Sequence, residues 1–392
     1  MMITILILSF CIFMVIGVPI AFGMALSGIL AIVLASDVSL VVLPQRVYSS
    51  LDSFQLLAVP LFVLAGELMN VGGITDRIVA FSKAAMGHIK GGLGQASVLA
   101  NMFMSAISGS AVADLVAIGS VMLPAMEKEG YRKDYSVAVL SAASLMGPII
   151  PPSIIAVIYG SLTGTSIGAL LIAGVIPGVL AGLGMMIITW YYADAGGAKR
   201  LPRASREEFS RTAVSAAPAF TVPAIIVGGI ISGVFTPTEA GAVAALFALV
   251  FGIYNGKIGG RKLYQMLLSS GLVTASALIT LAGASVFTYV LVSGGFAQWA
   301  LGALLSFTSD KHVAMAVILV GLFLVGLAIE PVPGLIMCIP VLMPTVRHFG
   351  FDEVQFGMVT MMMLIMGSLT PPVGVLATVA CRLAGIDYGR SL

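Results

Sequence analysis

Oxygen-bearing side chains set within long apolar sequence are the residues of this chain that could do chemistry. Four acids stand in such surroundings: Glu67 in "AGELMN", Asp114 in "SGSAVAD", Glu239 in "PTEAG" and Glu330 in "EPVPG". Ser108 and Ser110 stand just before Asp114, and Thr370 stands in "GSLTPP". An ionisable group at membrane depth is costly, so each acid is a functional candidate. Glu330 ranks first because it stands at the tip of a hairpin. Asp114 follows, with capping of the next helix as its alternative role. Glu67 and Glu239 fall near helix ends and read as structural pairs or interfacial groups. Hydroxyl, carboxylate and backbone oxygens together suit an alkali or alkaline-earth cation rather than a transition metal. Cys11, Cys338 and Cys381 lie far apart and read as small hydrophobes; His88, His312 and His348 are scattered as well. No nucleophile–base pair and no P-loop is present, which argues against an enzyme and against an ATPase.

Two interrupted helices would position these groups. Residues 146–152 read "MGPIIPP" and residues 366–372 read "MGSLTPP". Proline in a helix interior costs about 3 kcal/mol, so the same expense taken twice needs a reason. A broken helix frees carbonyls at one end and amides at the other. The carbonyls can hold a hard cation, and the amide end favours an anion. Each break adjoins a hairpin tip, "SGSA" at 108–111 or "EPVPG" at 330–334.

The medium around these elements must be lipid. Of 392 residues, 59% are hydrophobic and 9% charged, with a mean hydropathy of +1.10. A soluble domain carries about 25% charge. The net charge of +2 gives no case for nucleic acid. The opening "MMITILILSF" has no basic leader and runs on apolar, so it reads as mature membrane structure rather than a signal peptide.

The chain also repeats itself. Residues 123–152 align without a gap on 343–372, pairing Pro124 with Pro344, Gly147 with Gly367 and Pro151-Pro152 with Pro371-Pro372. "GVPIAFGMA" (17–25) matches "FTPTEAGAV" (235–243) at an offset of 218, pairing Pro19 with Pro237 and Gly23 with Gly241. Between the halves, residues 191–211 carry Lys199, Arg200, Arg203, Arg206 and Arg211, which marks a cytoplasmic loop. Counting outward from it makes the halves inverted copies. The first repeat is 1–192: scaffold helices 1–72, an interfacial arm 75–90, a re-entrant hairpin 93–126, a broken helix 135–162 and a helix 169–192. A cytoplasmic linker occupies 193–211. The second repeat is 212–392: scaffold helices 212–292, an arm 294–310, a hairpin 312–346 and a broken helix 353–383. The expected fold is therefore an all-α polytopic membrane protein with inverted-topology repeats, the usual machinery of a secondary transporter.

"SGSAVADLVAIGSVMLPAM", "GPIIPPS", "LTPPVG" and the opening "VGVPIAFGMALSG" resemble the large membrane (M) subunit of the TRAP transporters, the tripartite ATP-independent periplasmic family, over essentially the whole chain. The resemblance implies a Na⁺-driven importer of small organic acids such as C4-dicarboxylates, sialic acid or sugar acids, working by an elevator motion in the bacterial inner membrane. It implies no cofactor beyond the coupling ion, and two partners: a small membrane (Q) subunit and a periplasmic binding protein. A stand-alone Na⁺/carboxylate symporter is the alternative. The family's ion sites lie between hairpin tip and broken helix. Carried over, they give Ser108, Ser110, Gly147, Ile150 and Pro152 for one site, with Asp114 and Ser153 near the substrate. The repeat offset gives Ala328, Glu330, Gly367, Thr370 and Pro372 for the other. The family adds a terminal helix after the second break, which the resemblance leads one to expect beyond "AGIDYGRSL".

Overall fold

In lipid every backbone group must find its partner inside the protein, and the chain meets that demand with helices throughout. The computed structural model describes residues 1–371 and 373–391, without the side chains of 390 and 391; Pro372, placed above in the second ion site, lies outside the described residues. The helices are α1 (Met2–Val15), α2 (Ile20–Ala35), α3 (Val42–Leu51), α4 (Ala58–Val71), α5 (Ile74–Met86), α6 (Gly92–Ser108), α7 (Ala111–Lys128), α8 (Lys133–Ser144), α9 (Ile154–Thr163) and α10 (Ile167–Tyr191). There follow α11 (Arg206–Pro223), continued through a π-turn at Ala224–Gly228 into α12 (Gly229–Ile231), then α13 (Pro237–Tyr254), α14 (Gly260–Ser293), α15 (Phe296–Phe307), α16 (Lys311–Ala328), α17 (Pro331–His348), α18 (Glu353–Leu369) and α19 (Val375–Ala384). Among the described residues, six helical stretches are long and apolar enough to cross a membrane.

The repeat is visible in the bounds of the helices. Shifting α7 by 220 residues gives the span of α17, and the same shift brings α6 within a residue of α16. Pro124 and Pro344 occupy equivalent places inside α7 and α17. The two interruptions differ, however. α8 stops at Ser144, whereas α18 runs on to Leu369, five residues further in repeat register. Pro148 explains the first stop, because its ring clashes with the carbonyl four residues back, that of Ser144. The equivalent residue in the second copy is Ser368, which a helix accepts, so α18 continues until Pro371 disfavours helical backbone at Thr370. Gly367, expected at the break, therefore lies inside α18.

The chain forms two compact units. The first comprises Met1–Leu57, Ile155–Ile167 and Gly271–Gly367; the second comprises Ala58–Ile154, Gly168–Ser270 and Ser368–Leu392. In the first unit, Phe10 of α1 packs against Phe287 of α14 with ring centroids 5.2 Å apart. The hairpin α16–α17 and α18 belong here, and so does nearly all of α9. The ring of Tyr159 is fully buried against α18 and its hydroxyl donates to the Glu353 carbonyl at 2.8 Å. A Cβ on Gly357 would lie 2.6 Å from that ring. Asp310 opens α16 by accepting from the backbone N–H groups of His312 and Val313 at 2.8 and 2.9 Å.

In the second unit, the hairpin α6–α7 packs with α8, and α19 covers α7 and α8. Each unit thus holds one hairpin, the first half of that copy's interrupted helix and the second half of the other copy's. The interruptions are where the chain passes from unit to unit. α13 packs on α4 through small residues, Ala240, Gly241, Ala244, Ala245 and Ala248, as lipid-embedded helices do when they approach closely. Its start is a capping box in which Glu239 accepts from the Thr236 N–H at 2.8 Å. Glu67 accepts from Ser269 at 3.3 Å. The basic loop after α10 is docked rather than free: the Leu201 N–H donates to the Gly87 carbonyl, the Arg132 N–H to the Gly196 carbonyl, and Lys90 pairs with Asp194 at 2.7 Å. The loop, assigned to the cytoplasm from its charges, therefore meets the base of the first hairpin, where Arg132 and Lys133 give the same basic character. Cys381 is buried as expected, but Cys11 lies on the exposed face of α1, where an apolar thiol can face lipid.

Candidate functional site

The first hairpin turns at Gly109, whose φ of +66° is a conformation glycine adopts without strain. Ser110 follows as the N-cap of α7, its Oγ accepting from the Ala113 N–H at 3.4 Å. Capping therefore falls to Ser110 and not to Asp114. Asp114 sits one turn inside α7, with none of its surface exposed. Its carboxylate accepts two hydroxyls from the other arm of the hairpin, Ser108 Oγ to Oδ1 at 2.5 Å and Ser105 Oγ to Oδ2 at 2.9 Å. The positive end of the α7 dipole adds to this support. Ser108 Oγ also receives the Ser110 N–H at 3.1 Å.

The interruption between α8 and α9 closes on this cluster. A Cβ on Gly147 would lie 2.7 Å from Asp114 Oδ2 and 2.8 Å from the Ala111 nitrogen. A Cβ on Gly109 would lie 2.6 Å from the Pro152 carbonyl oxygen. The structure thus brings Ser108, Ser110, Asp114, Gly147 and Pro152 together. Ser153 is committed to the interruption itself, its Oγ donating to the Pro148 carbonyl at 2.5 Å. The Ile150 side chain points elsewhere: a Cβ on Gly178 of α10 would lie 2.4 Å from it. Ser105 and Gly66 were missed. Ser105 reaches Asp114 across the turn, nine positions away, and Gly66 of α4 lets the backbone of Ser108 approach, its added Cβ falling 3.2 Å from the Ser108 Cα. A serine one helical turn before "SGSA" was the available signal for Ser105; nothing local marks Gly66.

The second tip is built differently. Ala328 ends α16 and Glu330 precedes α17 at the N-cap position, exposed and with no capping hydrogen bond from its side chain. In repeat register, Val325, Ala328 and Gly334 stand where Ser105, Ser108 and Asp114 stand in the first copy. The carboxylate–hydroxyl cluster therefore has no second copy. Gly367 meets the hairpin through backbone instead: its added Cβ would lie 2.6 Å from the Gly326 carbonyl carbon and 2.7 Å from the Phe323 oxygen. Pro371 has no N–H, so the Gly367 carbonyl lacks its helical donor. Thr370 follows in the other unit. Among the described residues no cluster of His, Cys, Asp and Glu could hold a metal ion.

Paired hairpins and interrupted helices, in an all-helical chain with several membrane-length apolar helices, define a multi-pass membrane permease. The sequence matches the family described as "Tripartite ATP-independent periplasmic transporter, DctM component" over residues 7–391. It is 35% identical over 374 residues to the sialic acid TRAP transporter large permease protein SiaM of Vibrio cholerae, covering 95% of this chain and 87% of the relative. It is 34% identical over 371 residues to the C4-dicarboxylate TRAP transporter large permease protein DctM of Pseudomonas aeruginosa, covering 94% and 87%. In fold it is similar to the crystal structure of the YdaH transporter of Alcanivorax borkumensis, with TM-score 0.57 and 15% identity, covering 89% of this chain and 82% of that one. The chain belongs to the DctM family of TRAP transporter large permeases.

Proposed function

We propose that this chain is the transport subunit of a Na⁺-coupled secondary transporter of the bacterial inner membrane, importing a small organic acid by elevator-type alternating access. The observation that carries the reading is the buried Asp114 carboxylate at the first hairpin tip, ringed by Ser105 and Ser108 and pressed against the interruption at Gly147. Such a set offers a hard cation hydroxyl and backbone oxygens beside a buried carboxyl group. Ser108, Ser110 and the carbonyls near Gly147 and Pro152 would hold the ion. At the second tip backbone carbonyls near Gly367 and the Glu330 carboxylate would carry more of the work. The acid is a C4-dicarboxylate, sialic acid or a sugar acid, delivered by a periplasmic binding protein and carried with a small membrane subunit, as the tripartite organisation of the family supports.

The test is uptake by proteoliposomes containing this chain and its small membrane companion. Uptake of a labelled acid should require an inward Na⁺ gradient and the cognate binding protein together. Gradient-driven uptake without any binding protein would replace this reading with a stand-alone Na⁺/carboxylate symporter. Uptake indifferent to Na⁺ would remove the ion from the tip.

A further inference from the structure

A cavity of about 410 Å³ opens within the first unit between α3 and the C-terminal part of α14. That end of α14 is remote from the basic loop carrying Lys257, Arg261 and Lys262, so it faces away from the cytoplasm. Its volume falls within the range of small-molecule sites, about 300–1,000 Å³. Arg46 stands at its edge, exposed, with its guanidinium over the Tyr289 ring at 4.7 Å. Among the described residues no carboxylate pairs with Arg46 and no acceptor takes its N–H groups.

The preceding residue on α14 also borders the cavity. Thr288 lines the cavity, and its Oγ1 is shielded from water without a hydrogen-bond partner. Threonine in a helix ordinarily donates to a carbonyl one turn back, as Thr280 of the same helix does to Ser276 at 2.8 Å. The Thr288 hydroxyl is thus turned away from the space that water can reach, whereas the unpaired guanidinium of Arg46 stands open at its rim, with Ser49, Ser285 and Ser293 supplying oxygens along the lining. The aromatic face fixes the cation while leaving its planar edge available, and that edge matches a carboxylate with two parallel hydrogen bonds.

We infer that this cavity is an entry site for the carboxylate of a small organic acid, on the non-cytoplasmic face, with Arg46 receiving the charge and the lining serines the further oxygens. The inference rests on the import reading given above. One wall of the cavity is α17, through Ile336 and Pro340, so an acid seated here lies against the second hairpin. A lipid phosphate shares the chemistry of the carboxylate, and the experiment separates the two.

The full chain in nanodiscs of neutral phosphatidylcholine is titrated calorimetrically with succinate and with N-acetylneuraminate, and with uncharged succinamide as control. At least one acid should bind and succinamide should not. Arg46→Gln should weaken binding tenfold or more and Arg46→Lys less, each with an unchanged thermal transition. Equal binding by Arg46→Gln would overturn the proposal, as would a wild-type protein that binds neither acid. A response to phosphatidylglycerol in the disc, with none to either acid, would assign the site to lipid and overturn it too. Na⁺-driven uptake by Arg46→Gln, with a raised half-saturating acid concentration, separates the two readings. Loss of Na⁺ dependence in the wild type would sink the import reading, whereas unchanged half-saturation in the variant would sink only the entry site.

Discussion

Replacing Gly147 by alanine inserts one methyl group where the interruption meets the hairpin tip. The new Cβ would sit 2.7 Å from Asp114 Oδ2 and 2.8 Å from both the Ala111 nitrogen and the Ser110 carbonyl carbon. None of these atoms is the end of a flexible side chain: two are backbone, and the third is a short carboxylate held by two hydroxyls. The contact must therefore open, at a cost of about 1–3 kcal/mol for overpacking a filled site. If that cost falls on the closed tip, the apparent Na⁺ affinity drops by about 5- to 150-fold. Na⁺ activation of uptake in proteoliposomes measures it, with the thermal transition as a check on folding. Gly184→Ala is the control, since nothing lies within 4 Å of its added Cβ. A Gly147→Ala protein that folds and keeps half-saturating Na⁺ within twofold of wild type would refute the assignment of the ion to this contact.

Ser108→Ala removes the 2.5 Å bond to a buried carboxylate, which should cost about 1.5–3 kcal/mol of local stability and lower Na⁺ affinity, read by Na⁺-dependent protection against unfolding. Ser110→Ala should weaken Na⁺ dependence with folding intact, because its capping bond is long at 3.4 Å; unchanged Na⁺ affinity would speak against its part in the site. Ser368→Pro should end α18 early, as Pro148 ends α8, by setting a ring against the Leu364 carbonyl; about 3 kcal/mol of destabilisation should lower the melting temperature, and an unshifted one would contradict the account of the two interruptions. The N–H groups of Val313 and His312 hold the Asp310 carboxyl below the usual carboxylate range. Its capping contribution is thus complete above the unfolded pKa of about 3.9 and fades as pH falls through the lower folded value. Asp310→Asn should flatten that part of the acid dependence of the thermal transition, and an identical acid profile would show the cap to be idle.

Much of the fold could be read because prolines and glycines carry backbone information locally. The 220-residue offset rests on them, and α7 and α17 obey it to the residue. The unequal interruptions were also written in the sequence, in the exchange of Pro148 for Ser368, once the clash is traced to the carbonyl four residues back. What eluded sequence reasoning was contact across elements. Ser105 meets Asp114 only because the hairpin folds the two arms together, and Gly66 matters only because α4 lies against Ser108. Glu330 ranked above Asp114 by its place at a tip, yet the described structure leaves it exposed while Asp114 is fully enclosed. Position along the chain does not report burial. The exchange of half-helices between units was likewise invisible, since periodicity marks an interruption but not where the chain goes after it.

That exchange sets an order of events during synthesis. The first hairpin is covered by α19, where Leu383 lies against Gly119 and Lys133 reaches the Ala384 carbonyl across 251 positions of sequence. At roughly 5–20 residues per second, the ribosome needs about 13–50 s to make that stretch. For that interval the nascent first hairpin, with Ser105, Ser108 and Asp114 already made, waits without its cover. A chain released before Val375 can never supply it. Completion of the surroundings of Asp114 therefore reports that translation has passed α19, and a product truncated before it keeps an uncovered hairpin.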